Sequence, residues 1–167
     1  MRFSISVQCH DFDVGKEYAD LTAEDINSGA VVFFVGRVRD FNDGQTVTGL
    51  SIEHYPGMTE KALEQLLDEA KQRWQISSAR IVHRYGDFNL GDQIVFVGTA
   101  SPHRQDAFQA AEFLMDYLKT RAPFWKKEIN RDGKSMWVEA KDKDQEAAER
   151  WASANANGLQ KPGEAKN

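Results

Sequence analysis

A chain of 167 residues with 41% hydrophobic content can bury one sizeable core, and its net charge of -5 argues against general nucleic-acid binding, which asks for a broadly basic face. Its single cysteine, Cys9, excludes an intrachain disulfide, and its longest apolar run, Ala30 to Val35, is far too short to span a bilayer. The N-terminus, Met-Arg-Phe-Ser-Ile-Ser-Val-Gln, lacks the long apolar stretch of a signal peptide, so the expectation is a soluble cytoplasmic protein with neither membrane nor nucleic acid as partner.

In chain order, Phe3, Ile5 and Val7 alternate with polar residues and predict an opening strand. Ala30 to Val35 is a continuous apolar run rich in β-branched and aromatic residues, the pattern of a buried strand, and it runs on into Gly36-Arg37-Val38-Arg39. Val47 to Tyr55 predicts another strand with Leu50, Ile52 and His54 on one face. The Asn42-Asp43-Gly44 sequence between them supports the positive φ angles of a tight turn, which predicts a β-hairpin from about 30 to 55. Pro56-Gly57 ends it, and Thr59 is placed as N-cap of an amphipathic helix whose stripe is Ala62, Leu63, Leu66, Leu67, Ala70 and Trp74.

Ala79 to Tyr85 and Gln93 to Ala100 read as strands joined across Gly86 to Gly91. Ser101 as N-cap and Pro102 at N1 then open a second helix, with Ala107, Phe108, Ala111, Leu114, Met115 and Leu118 as its buried stripe and Pro123 as its stop. Met136 to Val138 predicts a short strand and Asp144 to Trp151 a last helix. The remaining residues, 152–167, are small, polar and aperiodic, which predicts a disordered tail. Mixed strands and helices without repeats or an internal linker favour one α+β domain over 1–151.

Three groups of residues carry candidate chemistry. Arg37 and Arg39 lie two apart on a strand and share a face, and guanidinium forks suit phosphate or carboxylate; capping the exposed end of a hairpin would explain them equally well. His103 and Arg104 follow Ser101-Pro102 at a helix start, where amides and dipole favour an anion, although a lone histidine there is more often a turn residue. Met115 to Glu128 sets Lys119, Arg121, Lys126 and Lys127 around a helix end, a proline and two aromatics. Crowded cations would make one lysine a usable base, whereas lysines in a last turn also simply favour the macrodipole. Spacing leaves both readings open.

The chain has no GxxxxGK[ST] loop, no GxGxxG turn and no zinc spacing, so no cofactor and no metal is expected. His10, His54 and His83 are scattered and read as structural or surface residues. Cys9 has no basic partner beyond adjacent His10 and stays outside the site.

Gly36-Arg37-Val38-Arg39, Glu53-His54-Tyr55-Pro56-Gly57-Met58, His83-Arg84-Tyr85-Gly86, Ser101-Pro102-His103-Arg104 and above all Tyr117-Leu118-Lys119-Thr120-Arg121-Ala122-Pro123-Phe124-Trp125-Lys126-Lys127-Glu128 resemble the large, catalytic subunits of molybdopterin synthases. The resemblance runs from about Phe3 to Trp151. It implies an α/β hammerhead fold with an additional antiparallel β subdomain, and a sulfurtransferase of molybdenum cofactor synthesis. A small ubiquitin-like partner, thiocarboxylated on its C-terminal Gly-Gly tail, would deliver two sulfurs to cyclic pyranopterin monophosphate and form the dithiolene. Self-association to a dimer, with one small subunit at each end, would give a heterotetramer. An enzyme supplied with sulfur in this way needs no cysteine of its own.

By position, the resemblance implies Lys119 and Lys126 as catalytic lysines. It implies Arg37, Val38, Arg39, His103, Arg104, Lys119, Lys126, Lys127 and Glu128 as the substrate-binding set, with Arg121 in a supporting place. One departure stands out. After Trp137-Val138-Glu139-Ala140, relatives carry an arginine that reaches a neighbouring subunit, and here Lys141 keeps the charge without the bidentate fork. A noncatalytic phosphate-binding module and a scaffold for a ubiquitin-like protein are the competing readings.

Overall fold

Alternation at Phe3, Ile5 and Val7 does form a first strand, and its apolar side chains pack on the main core. The computed structural model describes residues 2–42, 44–138 and 142–157. Among these the elements are β1 (Phe3–Gln8), α1 (Val14–Thr22), β2 (Ala30–Arg37), β3 (Phe41–Asn42), β4 (Gln45–His54), α2 (Met58–Arg73), β5 (Ser78–Arg84), β6 (Gly86–Asn89), β7 (Gln93–Ser101), α3 (Arg104–Arg121), β8 (Phe124–Asn130), β9 (Ser135–Val138) and α4 (Asp142–Asn157).

The strands form two sheets, and the fold is α+β. The first has the order β1-β5-β7-β2, with β1 parallel to β5 and the other pairs antiparallel. Both faces of its centre are buried, and β7 accordingly carries a near-continuous apolar sequence while β5 buries Ala79, Ile81 and Val82. Ile81, Val95 and Val97 enter the main core with α2 and α3, while Val82 and Phe96 pack with Phe12 on the other face. The second sheet is antiparallel, in the order β3-β4-β8-β9 with β6 also paired to β4. This second sheet stands where the resemblance implies an additional antiparallel β subdomain.

Helix α2 carries the expected stripe, and Leu63, Leu66 and Ala70 are fully buried. Its N-cap is Gly57 rather than Thr59: the Gly57 amide donates to Glu60 Oε2 at 2.6 Å, and the Thr59 hydroxyl is buried, donating to the Tyr55 carbonyl. Helix α3 likewise starts later than expected, with His103 as N-cap. Ser101 Oγ instead accepts from the His103 amide and donates to the Gln75 carbonyl. Phe108, expected in the buried stripe, is exposed, because the packed face is centred on Ala107, Ala110, Phe113, Leu114 and Tyr117.

The expected hairpin from 30 to 55 does not form. β2 pairs with β7, and β4 belongs to the other sheet. Turn chemistry is local: the Gly44 turn, with φ of 83°, fixes only the short β3–β4 pair. Residues 38–40 carry the chain between sheets, with Val38 donating to the Asp92 carbonyl and Val47 to that of Asp40. Helix α1, which the sequence reading left unassigned, is capped by Asp13 Oδ1 accepting from the Lys16 amide. Helix α4 continues to Asn157, past Trp151 where the polar tail was expected to begin. Residues 158–167, Asp43 and Lys141 lie outside the described residues, and the tail and cross-subunit expectations rest on them.

Candidate active site

The C-terminal half of α3 and one face of β8 meet at a cavity of about 760 Å³ between the two sheets. Met115, Leu118, Lys119 and Ala122 recur at helical spacing and form one wall. On β8 the period of two sends Phe124, Lys126 and Glu128 into the cavity. Arg37, Val38 and Arg39 enter where β2 leaves its sheet, and the first turn of α4 closes the rim with Lys143 and Asp144. The apolar part is lined by Phe34, Val35, Leu50, Ile94 and Val95.

Several of the residues picked from the sequence therefore converge: Arg37, Val38, Arg39, Lys119, Lys126 and Glu128. Local geometry holds them. Arg37 Nε donates to the Gly91 carbonyl at 2.9 Å, and Gly91 has φ of 83°, a conformation glycine adopts without strain. A register shift between Gly36 and Arg37 re-aims the strand at this point. Gly36 is required by close approach, since a Cβ there would lie 2.6 Å from Val95 Cγ1.

Three others do not converge within one chain. Lys127 points to the opposite face of β8, its ammonium 5.4 Å from the centre of the Trp137 ring. His103 and Arg104 sit at the far end of α3, sixteen residues from Lys119 in the case of His103, so a rise of 1.5 Å per residue separates them by about 24 Å. The helix start that carries His103 and Arg104 therefore lies apart from the helix end that carries Lys119.

Of the cations that could crowd Lys119, Arg39 and Lys126 share its cavity, whereas Arg121 does not. Lys119 Nζ lies 3.6 Å from Asp144 Oδ1. Arg121 turns to α2 and is held by Glu69 through two hydrogen bonds of 2.7 and 3.0 Å. That fork holds the Glu69 carboxyl below its usual range and raises the Arg121 guanidinium, in each case chiefly through the shared hydrogen bond. Arg121 braces α3 against α2 and takes no part in the cavity.

His83 was missed. It is buried, lines the cavity, stacks on Phe124 with ring centres 3.7 Å apart, and meets the Arg84 carbonyl through Nδ1 at 2.9 Å. Burial is the largest cause of a pKa pushed down to about 3, which leaves the ring neutral. No sequence spacing signals it. Only its place on a central strand, next to a cavity formed by distant elements, makes it distinctive. Among the described residues no group of three or more histidine, cysteine or acidic side chains is arranged to hold a metal, and no helix is long and apolar enough to cross a membrane.

Cations gathered on the walls of a half-apolar cavity in an α+β fold make this a ligand-binding domain whose pocket suits an anion. A family model described as MoaE protein matches residues 7–121. A molybdopterin synthase catalytic subunit of Pseudomonas aeruginosa is 57% identical over 148 residues, covering 89% of this chain and 98% of that protein. The solved structure of a molybdopterin biosynthesis MoaE protein from Burkholderia ambifaria matches with a TM-score of 0.76 at 50% identity, over 89% of this chain and 97% of that one. A Helicobacter pylori structure, a complex of subunits 1 and 2 of molybdopterin-converting factor, shares the fold at 23% identity with a TM-score of 0.66, over 83% and 91% of the two chains. The chain belongs to the MoaE family of molybdopterin synthase catalytic subunits, sulfur-transferring enzymes of molybdenum cofactor biosynthesis.

Proposed function

We propose that this chain moves sulfur from the C-terminal thiocarboxylate of a small ubiquitin-like partner onto cyclic pyranopterin monophosphate inside the cavity, in the cytoplasm. The observation that carries this reading is the placing of Arg37, Arg39, Lys119 and Lys126 on the walls of one cavity that also has an apolar lane. The cations suit the cyclic phosphate, and the lane of Phe34, Val35 and Leu50 suits an uncharged Gly-Gly tail. We take the catalytic domain as 1–151, a range that ends on Trp151 of the main core.

Each residue has a task in that scheme. Arg37 and Arg39 hold the phosphate through guanidinium forks, with Val38 between them as a wall. Lys126 adds a point charge where the cyclic phosphate opens, and Glu128, on the same face, borders the substrate. Lys119, beside the Asp144 carboxylate, serves as an ammonium: it donates to the acyl oxygen as charge develops there and supplies a proton to the departing group. In each transfer a carbon–sulfur bond forms on the pterin as a carbon–oxygen bond at that carbon breaks, the oxygen leaving with the opened phosphate in one transfer and as water in the other, and the partner's acyl–sulfur bond is then hydrolysed. Water supplies the oxygen that leaves the tail as a carboxylate.

His103 and Arg104 enter from a second copy of the chain. The length of α3 keeps them from their own Lys119, and a homodimer can bring an opposite helix start to a cavity. Lys127 contributes through the strand it belongs to, and its side chain stays with Trp137.

Reconstitution with thiocarboxylated partner and the cyclic pterin tests the reading. Lys119→Ala should lower dithiolene formation at least about 100-fold while partner binding persists. Unchanged turnover would overturn the assignment. Mixing Lys119→Ala with Arg104→Ala chains should restore about a quarter of wild-type activity, because half of randomly paired dimers hold one intact site. Complementation that never exceeds the separate variants would place His103 and Arg104 elsewhere.

A further inference from the structure

The turn between β6 and β7 meets the Arg37–Val38 segment through its backbone and through the Arg37 side chain, and Gly91 makes most of these contacts. Its carbonyl accepts from Arg37 Nε at 2.9 Å, and its amide donates to the Val38 carbonyl at 2.8 Å. A Cβ at position 91 would stand 3.1 Å from Arg37 Nη2, so the guanidinium lies against the bare Cα. Beside it, the Asp92 carbonyl accepts from the Val38 amide at 2.9 Å. Side chain and backbone of the arginine segment are thus held by the same two residues.

The turn itself is braced. Asp92 Oδ2 accepts from the Asn89 amide at 2.8 Å, and the Asp92 amide donates to the Asn89 carbonyl at 3.2 Å. Arg84 on β5 donates through Nη1 to the Gln93 carbonyl at 2.7 Å and lays its guanidinium over the Phe88 ring, which ties both flanks of the turn to the first sheet. Gly91, with φ of 83°, completes the turn in the left-handed region. On β7, Val95 pairs with Gly36 and Gln93 with Arg37, so Ile94 between them has no partner on β2. This irregularity re-aims β2 at the point where Arg37 begins.

We propose that Gly91 is a positioning residue for the phosphate site: it sets the orientation of the Arg37 guanidinium and, through Val38, the course of the chain toward Arg39, so that Arg37 meets the phosphate end-on. A guanidinium can grip a phosphate side-on, through Nε and one Nη, or end-on, through both Nη nitrogens. The Gly91 carbonyl takes the Nε hydrogen, and the end-on fork is what remains. An arginine that swings freely loses rotamer freedom whenever it binds, whereas one already held at Nε loses less. Arg37 lines the cavity with Arg39 and Lys119, so its preset grip decides how an anion sits among the three.

The inference rests on the proposed reaction, and the tests separate the two. The full chain is assayed with its thiocarboxylated small partner and the cyclic pterin as wild type, Gly91→Ala and Gly57→Ala. Gly57 has φ of 86° and open space where a Cβ would stand, so its alanine variant carries a similar backbone strain outside the cavity lining. Gly91→Ala should raise the pterin KM about fivefold with kcat and the partner KM within about twofold, while Gly57→Ala leaves all three within about twofold. Arg37→Ala should raise the pterin KM about tenfold, and adding Gly91→Ala to it should cost no more than about twofold further, because the side chain it acts through is gone. Without substrate, the wild-type Arg37 Nε hydrogen should exchange with water at least about tenfold more slowly than that of an exposed arginine, and Gly91→Ala should remove that protection. Inorganic phosphate should shift the Arg37 Nη ¹⁵N resonances and leave the Nε hydrogen protected.

An unprotected Arg37 Nε hydrogen in wild type would overturn the proposal, whether or not the variants fold. So would equal rises of the pterin KM in Gly91→Ala and Gly57→Ala, fully multiplied losses in the double variant, or phosphate that strips the Nε hydrogen of its protection. Absence of dithiolene formation by wild type would instead fail the proposed function, and the Nε exchange with the phosphate titration would still decide the role of Gly91.

Discussion

Lys119 Nζ lies 3.6 Å from Asp144 Oδ1, which ties the last turn of α3 to the first turn of α4 at the rim of the cavity. The pair is partly open to solvent, with the Lys119 side chain 46% exposed, so its contribution to stability is at most about 1 kcal/mol. Its effect on binding is larger, because the carboxylate occupies the ammonium that an anionic substrate must reach. Asp144→Asn should leave the melting temperature within a few degrees of wild type and lower the KM for the cyclic pterin about two- to threefold. Steady-state kinetics beside a thermal melt checks both. A raised KM would show that Asp144 orients Lys119 rather than competing for it.

Adjacent lysines on β8 should behave very differently. Lys126 faces the cavity with Phe124 and Glu128, whereas Lys127 lies over Trp137 on the other face. Lys126→Ala should cost about 100-fold in dithiolene formation, the usual scale for a charge aimed at developing negative charge. Lys127→Ala should stay within about threefold, since a half-buried cation over one exposed indole is a weak contact. Parallel assays of the two variants with saturating partner distinguish them, and equal losses would mean that β8 turns its other face to the substrate.

That contrast also marks where the sequence could be read and where it could not. Lys119 and the apolar residues beside it were legible because a helix repeats every 3.6 residues, so Met115, Leu118, Lys119 and Ala122 fall on one stripe. Arg37 and Arg39 were legible as a same-face pair on an extended segment. Residues 124–130 were not read as a strand. Pro123 and the mixed charges hid the alternation, and with it the opposite facing of Lys126 and Lys127. The hairpin from 30 to 55 failed because a turn signal constrains its immediate neighbours and says nothing about which distant strand completes the ladder. His83 could not be picked out, because its significance lies in burial beside a cavity and in the Phe124 ring that meets it in space.

Burial of His83 makes the protein sensitive to acid. Its pKa is pushed from 6.5 to about 3 in the folded chain. Between those values the unfolded chain takes up a proton that the folded chain refuses, so the unfolded state binds more protons and stability falls as pH falls. The contribution is complete above pH 6.5 and is lost progressively toward pH 3. The slope from this one group is at most about 1.4 kcal/mol per pH unit. Urea titrations at pH 7.5, 6 and 5 should show the midpoint dropping, and His83→Gln should flatten the drop across that range. An unchanged pH slope in the variant would assign the acid sensitivity to other groups.

Gly36 supports the site from beneath, and its replacement should be felt through Val95. A Cβ at position 36 would stand 2.6 Å from Val95 Cγ1, closer than side-chain atoms pack, with Phe34 Cε1 in contact at 3.4 Å. Val95 is buried in the main core and cannot retreat freely, so Gly36→Ala must displace β2 where its register shifts into Arg37. Overpacking of this kind costs about 1–3 kcal/mol, and the displaced strand end carries both phosphate-binding arginines with it. The variant should therefore lose stability and raise the pterin KM together. Val95→Ala removes the clashing methyl, so the double variant should recover part of both losses despite the cavity it creates, giving a favourable coupling in a double-mutant cycle. Additive losses would mean that β2 absorbs the added methyl without moving against β7.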